Sequence, residues 1–194
     1  MSRVLRSFVF LAVLGVAGLL LLIAAQRFDR PELIGPGLLL FALGTMAAGA
    51  NIMVRRYSGE VLRTTATRTF VGPAAVLTGL AVVILGLGFA VAGAAFTFRV
   101  EDRLAVYLLE RPGAALIAAG AACASGGLAR LLGAREWGGS TRRLLAHFPD
   151  RLGGTFLVLL GLALSGLGIF EVVQPEAFDA WIAPLAAPFG GVGS

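Results

Sequence analysis

Residues 69–98 read TFVGPAAVLTGLAVVILGLGFAVAGAAFTF, a stretch without a charged side chain that lies between Arg68 and Arg99. A bilayer with a hydrocarbon core of about 30 Å is crossed by about 20 apolar residues in a helix. The stretch is longer than this, so the helix is expected to tilt or to extend beyond the hydrocarbon at one end. Its length and composition indicate an integral membrane protein.

Four other apolar stretches accompany this one, at residues 7–25, 33–54, 112–133 and 152–173. We therefore predict an all-α, polytopic integral membrane protein with five transmembrane helices. The helices form one transmembrane domain at residues 1–173, followed by a short amphipathic tail at 174–194. The first stretch follows Arg3 and Arg6 and resembles a signal peptide, but its apolar run is longer than usual, so we expect an uncleaved anchor.

The composition excludes most soluble classes of protein. Of the 194 residues, 58% are hydrophobic and 14% are charged, and the mean hydropathy is +0.89. A soluble domain has about 25% charged residues. A soluble enzyme, a nucleic-acid-binding module and a disordered chain are therefore excluded. All the basic residues are arginines, and Ala and Gly are abundant, which indicates GC-rich bacterial coding.

The distribution of arginines predicts the orientation. With five spans, the N-terminus and the second and fourth connections lie on one side, and they carry 11 of the 16 basic residues. Cytoplasmic loops of membrane proteins are enriched in Arg and Lys. We therefore expect the bacterial inner membrane, with a cytoplasmic N-terminus and a periplasmic or extracellular C-terminus.

Small residues within the spans are candidates for helix packing. Transmembrane helices associate closely where small residues let their backbones approach, and this chain has 27 glycines. The predicted helix-packing residues are Gly44, Ala48, Gly49, Gly120, Gly126, Gly161 and Ser165. They could face other helices of this chain or those of a partner.

Two parts of the chain resemble each other. Residues 76–81 (VLTGLA) are similar to residues 158–163 (VLLGLA), and 86–88 (GLG) recur at 166–168. A lead helix followed by two duplicated helical hairpins would explain both matches. Chance matching among Gly, Ala, Leu and Val is the alternative.

The spans offer little chemistry. No span has a central Asp, Glu, His or Arg, and the chain has one cysteine, Cys123, and one histidine, His147. We therefore predict no catalytic residue, no metal site and no enzyme activity. Asn51 is the most polar residue within a span, and a polar contact in the membrane is expected there. Cofactors are not evident, although a lipid, quinone or pigment could bind an apolar groove without a motif.

Arginine and aromatic side chains near the membrane boundary are typical of the headgroup region. Trp137, Arg142 and Arg143 in the last connection, and Phe178 and Trp181 in the tail, are candidate contacts for lipid or for a protein partner. The expected partners are therefore the lipid bilayer and other membrane subunits, and no nucleic acid.

These patterns favour a non-catalytic membrane subunit that stabilises or bridges a larger respiratory, photosynthetic or transport complex. The alternative is a small oligomeric transporter or channel for a neutral or apolar solute. A transporter should bring the polar residues of the spans together along a path, whereas a scaffold should leave them scattered.

Overall fold

The computed structural model describes residues 3–59, 69–133 and 141–186. The secondary structure elements in chain order are α1 (Arg3–Arg27), α2 (Ile34–Arg55), β1 (Tyr57–Gly59), β2 (Thr69–Val71), α3 (Pro73–Phe98), α4 (Glu101–Glu110), α5 (Gly113–Gly133), α6 (Thr141–Val173) and α7 (Pro175–Ala186). A 3-10 turn at Pro31–Leu33 leads into α2.

The described residues are almost entirely helical, which confirms the predicted all-α class, whereas the five spans and the duplicated hairpins are not confirmed. Four of their helices are long and apolar enough to cross a membrane, at Pro31–Arg55, Pro73–Phe98, Gly113–Leu132 and Arg151–Val173. These helices indicate a membrane protein. The first predicted span falls on α1 (Arg3–Arg27), whose residues Val13–Arg27 form an apolar segment.

The long helices form a row in which each packs on the next. Helix α1 packs on α2, α2 on α3, α3 on α5 and α5 on α6. The closest packing occurs within two antiparallel hairpins, α2–α3 and α5–α6. We call the end with α4 and α7 the α4 face, and the end with β1 and β2 the β face.

The interior is built from small side chains. Apart from Phe178, the buried apolar residues of the described chain are all alanines, and no large side chain is fully buried there. Large apolar side chains face outward instead, with Phe156 63% and Leu159 61% exposed. Exposure of so large an apolar surface to water would be unfavourable. Lipid acyl chains solvate such a surface, so the arrangement fits a bilayer.

The third predicted span begins later than expected. Residues 69–71 form β2, which pairs antiparallel with β1 so that Tyr57 lies opposite Val71. Gly72 then adopts a φ of +64°, which favours glycine, and Pro73 starts α3. Proline is well tolerated in a first helical turn because its missing N–H would have no partner there.

The structure contains one helix that was not predicted and lengthens one that was. The connection between the third and fourth spans contains the ten-residue helix α4. Helix α6 starts at Thr141 rather than at residue 152, so it continues the last span toward the β face. In the tail, the amphipathic segment forms helix α7 directly after α6.

Candidate functional site

The α5–α6 hairpin contains the tightest helix contact among the predicted packing residues. A Cβ atom added to Gly120 would lie 2.6 Å from the carbonyl oxygen of Gly161 and would also touch Ser165. A Cβ at Gly161 would in turn lie 2.6 Å from the carbonyl oxygen of Gly120. Both distances are shorter than real contacts, so this interface requires glycine at both positions.

The α2–α3 hairpin has the same kind of contact. A Cβ atom at Gly49 would lie 2.7 Å from the carbonyl oxygen of Gly79, and a Cβ at Gly79 would lie 2.6 Å from that of Gly49. Gly44, also on α2, is buried. Ala48 is partly buried. At 100° per residue, Gly49 lies about 140° from Gly44 around α2, so the predicted small residues of this helix face two directions.

Gly126 differs from the other glycines of the predicted set. No heavy atom beyond its own helix lies within 4 Å of an added Cβ, so Gly126 faces open space. Its neighbour Gly127 instead contacts Gly154, with an added Cβ 2.7 Å from the Gly154 carbonyl oxygen.

Sequence reasoning missed that the contacts recur every seven residues. On each helix of the two hairpins, small residues at this spacing form the interface. They are Gly35, Ala42 and Gly49 on α2, Gly79, Gly86 and Gly93 on α3, Gly113, Gly120 and Gly127 on α5, and Gly154, Gly161 and Gly168 on α6. A seven-residue spacing keeps one stripe facing a partner along two packed helices. The spacing was visible in the sequence, but glycines elsewhere in the spans obscured it.

The hydroxyl groups of two polar residues in the spans bond within their own helices. Thr45 donates a hydrogen bond to the carbonyl oxygen of Phe41 at 2.8 Å, and Thr78 donates one to that of Ala74 at 2.9 Å. Such bonds satisfy a hydroxyl within its own helix. Asn51 is partly buried near the β face.

An ion pair joins the connection between α4 and α5 to α6 at the α4 face. Arg111 Nη1 lies 3.6 Å from Glu171 Oε1; the Glu171 side chain is only 4% exposed, whereas that of Arg111 is 49% exposed. The second carboxylate oxygen of Glu171 lies against Gly113, at the start of α5. The sequence analysis did not identify this pair.

The tail helix packs on the last span through an aromatic cluster. Phe178 is 4% exposed, and its ring lies edge-on to Phe170 of α6 with the ring centroids 5.9 Å apart. The ring of Trp181 lies 6.3 Å from that of Phe178 and is half exposed. Of the two predicted contact residues in the tail, Phe178 therefore faces this chain and Trp181 faces outward.

Two shallow grooves lie at the α4 face. One, of about 430 Å³, lies between α1 and α2 and is lined by Leu22, Ala25, Gln26, Asp29, Pro31 and Ile34. The other, of about 320 Å³, lies on α4 beside Asp102, Arg103 and Tyr107. Each groove combines apolar and polar groups, as expected at a membrane boundary.

Three further contacts were predicted in the last connection, at Trp137, Arg142 and Arg143. Trp137 lies outside the described residues. Arg142 and Arg143 lie in the first turn of α6. Within the described ranges, no group of three or more His, Cys, Asp or Glu side chains could hold a metal ion.

The chain has no significant match to a known family model, to a curated protein or to a solved structure.

Proposed function

We propose that this protein is a non-catalytic subunit of the bacterial inner membrane that packs into a larger respiratory, photosynthetic or transport complex. The observation that carries this proposal is the glycine interface within each hairpin. Because the backbones of the paired helices are in direct contact, no room is left for a solute between them. The same contacts hold the two helices at fixed positions. Such a unit suits a spacer or a bridge between other subunits.

The hydroxyl groups support a structural role over transport. A path for a polar solute needs polar groups that converge on a cavity, yet Thr45 and Thr78 bond to their own helices. The large outward-facing side chains, such as Phe156 and Leu159, provide apolar area for lipid or for partner helices. A small transporter remains the alternative proposal.

The proposed topology has five spans. Helix α1 has 25 residues, which corresponds to about 37 Å at 1.5 Å per residue and is enough to cross a bilayer. The β face then lies in the cytoplasm with most of the arginines, and the α4 face lies outside. The N-terminus is cytoplasmic and the C-terminus extracytoplasmic in this arrangement.

The proposed architecture is a lead helix followed by two duplicated units. The contact of Gly49 with Gly79 in the first hairpin corresponds to that of Gly127 with Gly154 in the second. The remaining contacts keep the same order: Gly86 meets Met46 and Gly161 meets Ala124, then Gly93 meets Leu39 and Gly168 meets Ile117. Each hairpin is followed by a short helix, α4 or α7. This correspondence pairs different residues from those matched in the sequence, where 86–88 were aligned with 166–168.

Purification from the native membrane in a mild detergent tests the proposed function. The mass of the particle and the identities of its proteins and pigments are measured. A particle with a constant set of other subunits is the expected result. A particle that contains only this chain would contradict the proposal, and solute flux in reconstituted vesicles would then be measured, with Asn51 as the first residue to change.

A further inference from the structure

Helix α4 is constrained by the two long helices that it connects. Helix α3 ends at Phe98, α4 covers Glu101–Glu110 and α5 begins at Gly113, so two residues join α4 to each neighbour. Because α3 and α5 are both long apolar helices and pack on each other, their ends at the α4 face lie at a similar membrane depth. A ten-residue helix of about 15 Å held at both ends must run along the membrane surface.

The side chains of α4 are divided between two faces. At 100° per residue, Leu104, Leu108 and Leu109 lie on one side of the helix. Arg103 and Glu110 lie on the opposite side, where they border the groove of about 320 Å³. Asp102 lies next to Leu109 at the boundary between the two sides, and Glu101, in the first turn, lies on the leucine side. This division is typical of helices that lie at a membrane surface.

The protein covers only part of the apolar side. The principal contact of α4 among the described elements is with α3. Leu104 is partly buried there. Leu109 is 82% exposed and Leu108 is 38% exposed. The neighbouring end of α3 is also apolar and open, with Phe98 75% exposed. Helix α4 and the end of α3 that it follows therefore both present exposed apolar side chains at the α4 face.

We propose that α4 is a membrane-surface helix whose Leu108 and Leu109 side chains insert among phospholipid acyl chains. The occupant is lipid because two residues join α4 to the exposed apolar end of α3, which the same leaflet surrounds. Arg103 and Glu110, on the opposite side, then lie among the headgroups and water. The proposal rests on the membrane location of the protein, and it does not depend on a partner subunit.

Tryptophan fluorescence of the full chain in phosphatidylcholine vesicles tests this placement. In a background with Trp137→Phe and Trp181→Phe, one variant carries Leu109→Trp and its matched control carries Glu110→Trp. Each is measured in vesicles with and without bromine on the lipid acyl chains, and with acrylamide as the aqueous quencher. We expect bromine to quench the Leu109→Trp variant at least about twofold more than the control, and acrylamide to show the opposite order.

Three results would overturn the proposal. Equal quenching of both variants by bromine would mean that α4 has no lipid-facing side. Strong acrylamide quenching of Leu109→Trp would place that side in water. Shielding of the same variant from both quenchers would mean that protein, such as a second copy, covers it. If Leu109→Trp does not retain the parent elution volume and helical content, Ala105→Trp on the same side replaces it. If the protein proves not to be a subunit of a larger complex, the quenching results expected for α4 stay the same.

Discussion

At the scale of single residues, the structure distinguishes two glycines on α5 that the sequence does not. Gly120 lies against the backbone of α6, whereas Gly126 faces open space. We expect Gly120→Ala to lower the free energy of unfolding by about 2 kcal/mol, because the added methyl group forces the helices apart. Gly126→Ala is the control and should leave stability unchanged or raise it by up to about 1 kcal/mol, since alanine favours a helix.

This comparison is best made by steric trapping or by unfolding in mixed detergent micelles, with both variants in the same detergent. Equal effects of the two substitutions would contradict the glycine interface. Gly161→Ala provides an independent check from the opposite helix, where an added Cβ would lie 2.5 Å from the backbone nitrogen of Ala124.

The Arg111–Glu171 ion pair is predicted to respond asymmetrically to substitution. Removing the charge of Arg111 leaves a carboxylate that is only 4% exposed without its cation. Arg111→Gln should therefore destabilise the fold by about 1–3 kcal/mol. This loss is smaller than for a fully buried pair, because the Arg111 guanidinium is half exposed and water screens its charge. Glu171→Gln leaves a solvated arginine and should cost less than about 1 kcal/mol. A larger loss for Glu171→Gln in the same unfolding assay would contradict this interpretation.

At the scale of elements, the attachment of α7 to α6 depends on one buried ring. Phe178→Ala removes the contact with Phe170, and burial of an aromatic side chain contributes about 3–5 kcal/mol in a protein core. We expect the backbone amides of α7 to exchange with deuterium at least about tenfold faster, while those of α5 stay unchanged. Trp181→Ala, at a half-exposed ring, should have a smaller effect, and equal acceleration by both variants would argue against this attachment.

The elements also show what the sequence can and cannot predict. Long uncharged runs locate the spans because a bilayer requires about 20 apolar residues, and the predicted 33–54 agrees closely with α2 at Ile34–Arg55. Helix α4 escaped prediction because four of its ten residues are charged, so hydropathy alone describes it as a loop. The strand at 69–71 escaped because its pairing partner lies across a connection and its apolar residues extend the run of α3.

The candidate site was harder to predict than the spans. Gly49, Gly120 and Gly161 were selected as small residues, but which side of a helix meets a partner depends on contacts between distant parts of the chain. The burial of Glu171 likewise depends on its position beside Gly113, which no local pattern reveals.

At the scale of the whole molecule, the number of spans determines where the two termini lie. If α1 crosses the membrane, the N- and C-termini lie on opposite sides. We expect a fluorescent protein fused to the N-terminus to be bright and alkaline phosphatase fused to the C-terminus to be active, because the latter folds outside the cytoplasm. An inactive C-terminal phosphatase with a bright C-terminal fluorescent fusion would indicate an even number of spans. A phosphatase inserted within residues 60–68 serves as the cytoplasmic control and should be inactive.

The seven-residue spacing of the glycine contacts also limits how the paired helices can slide. A shift of one helix along its partner by less than seven residues would drive bulkier side chains into the opposing backbone. The nearest register that again brings small residues together lies about 10 Å away, at 1.5 Å per residue. The two helices of each hairpin are therefore expected to move together in a single register. A displacement of the helix ends at the β face would then be transmitted to α4 or α7 at the α4 face.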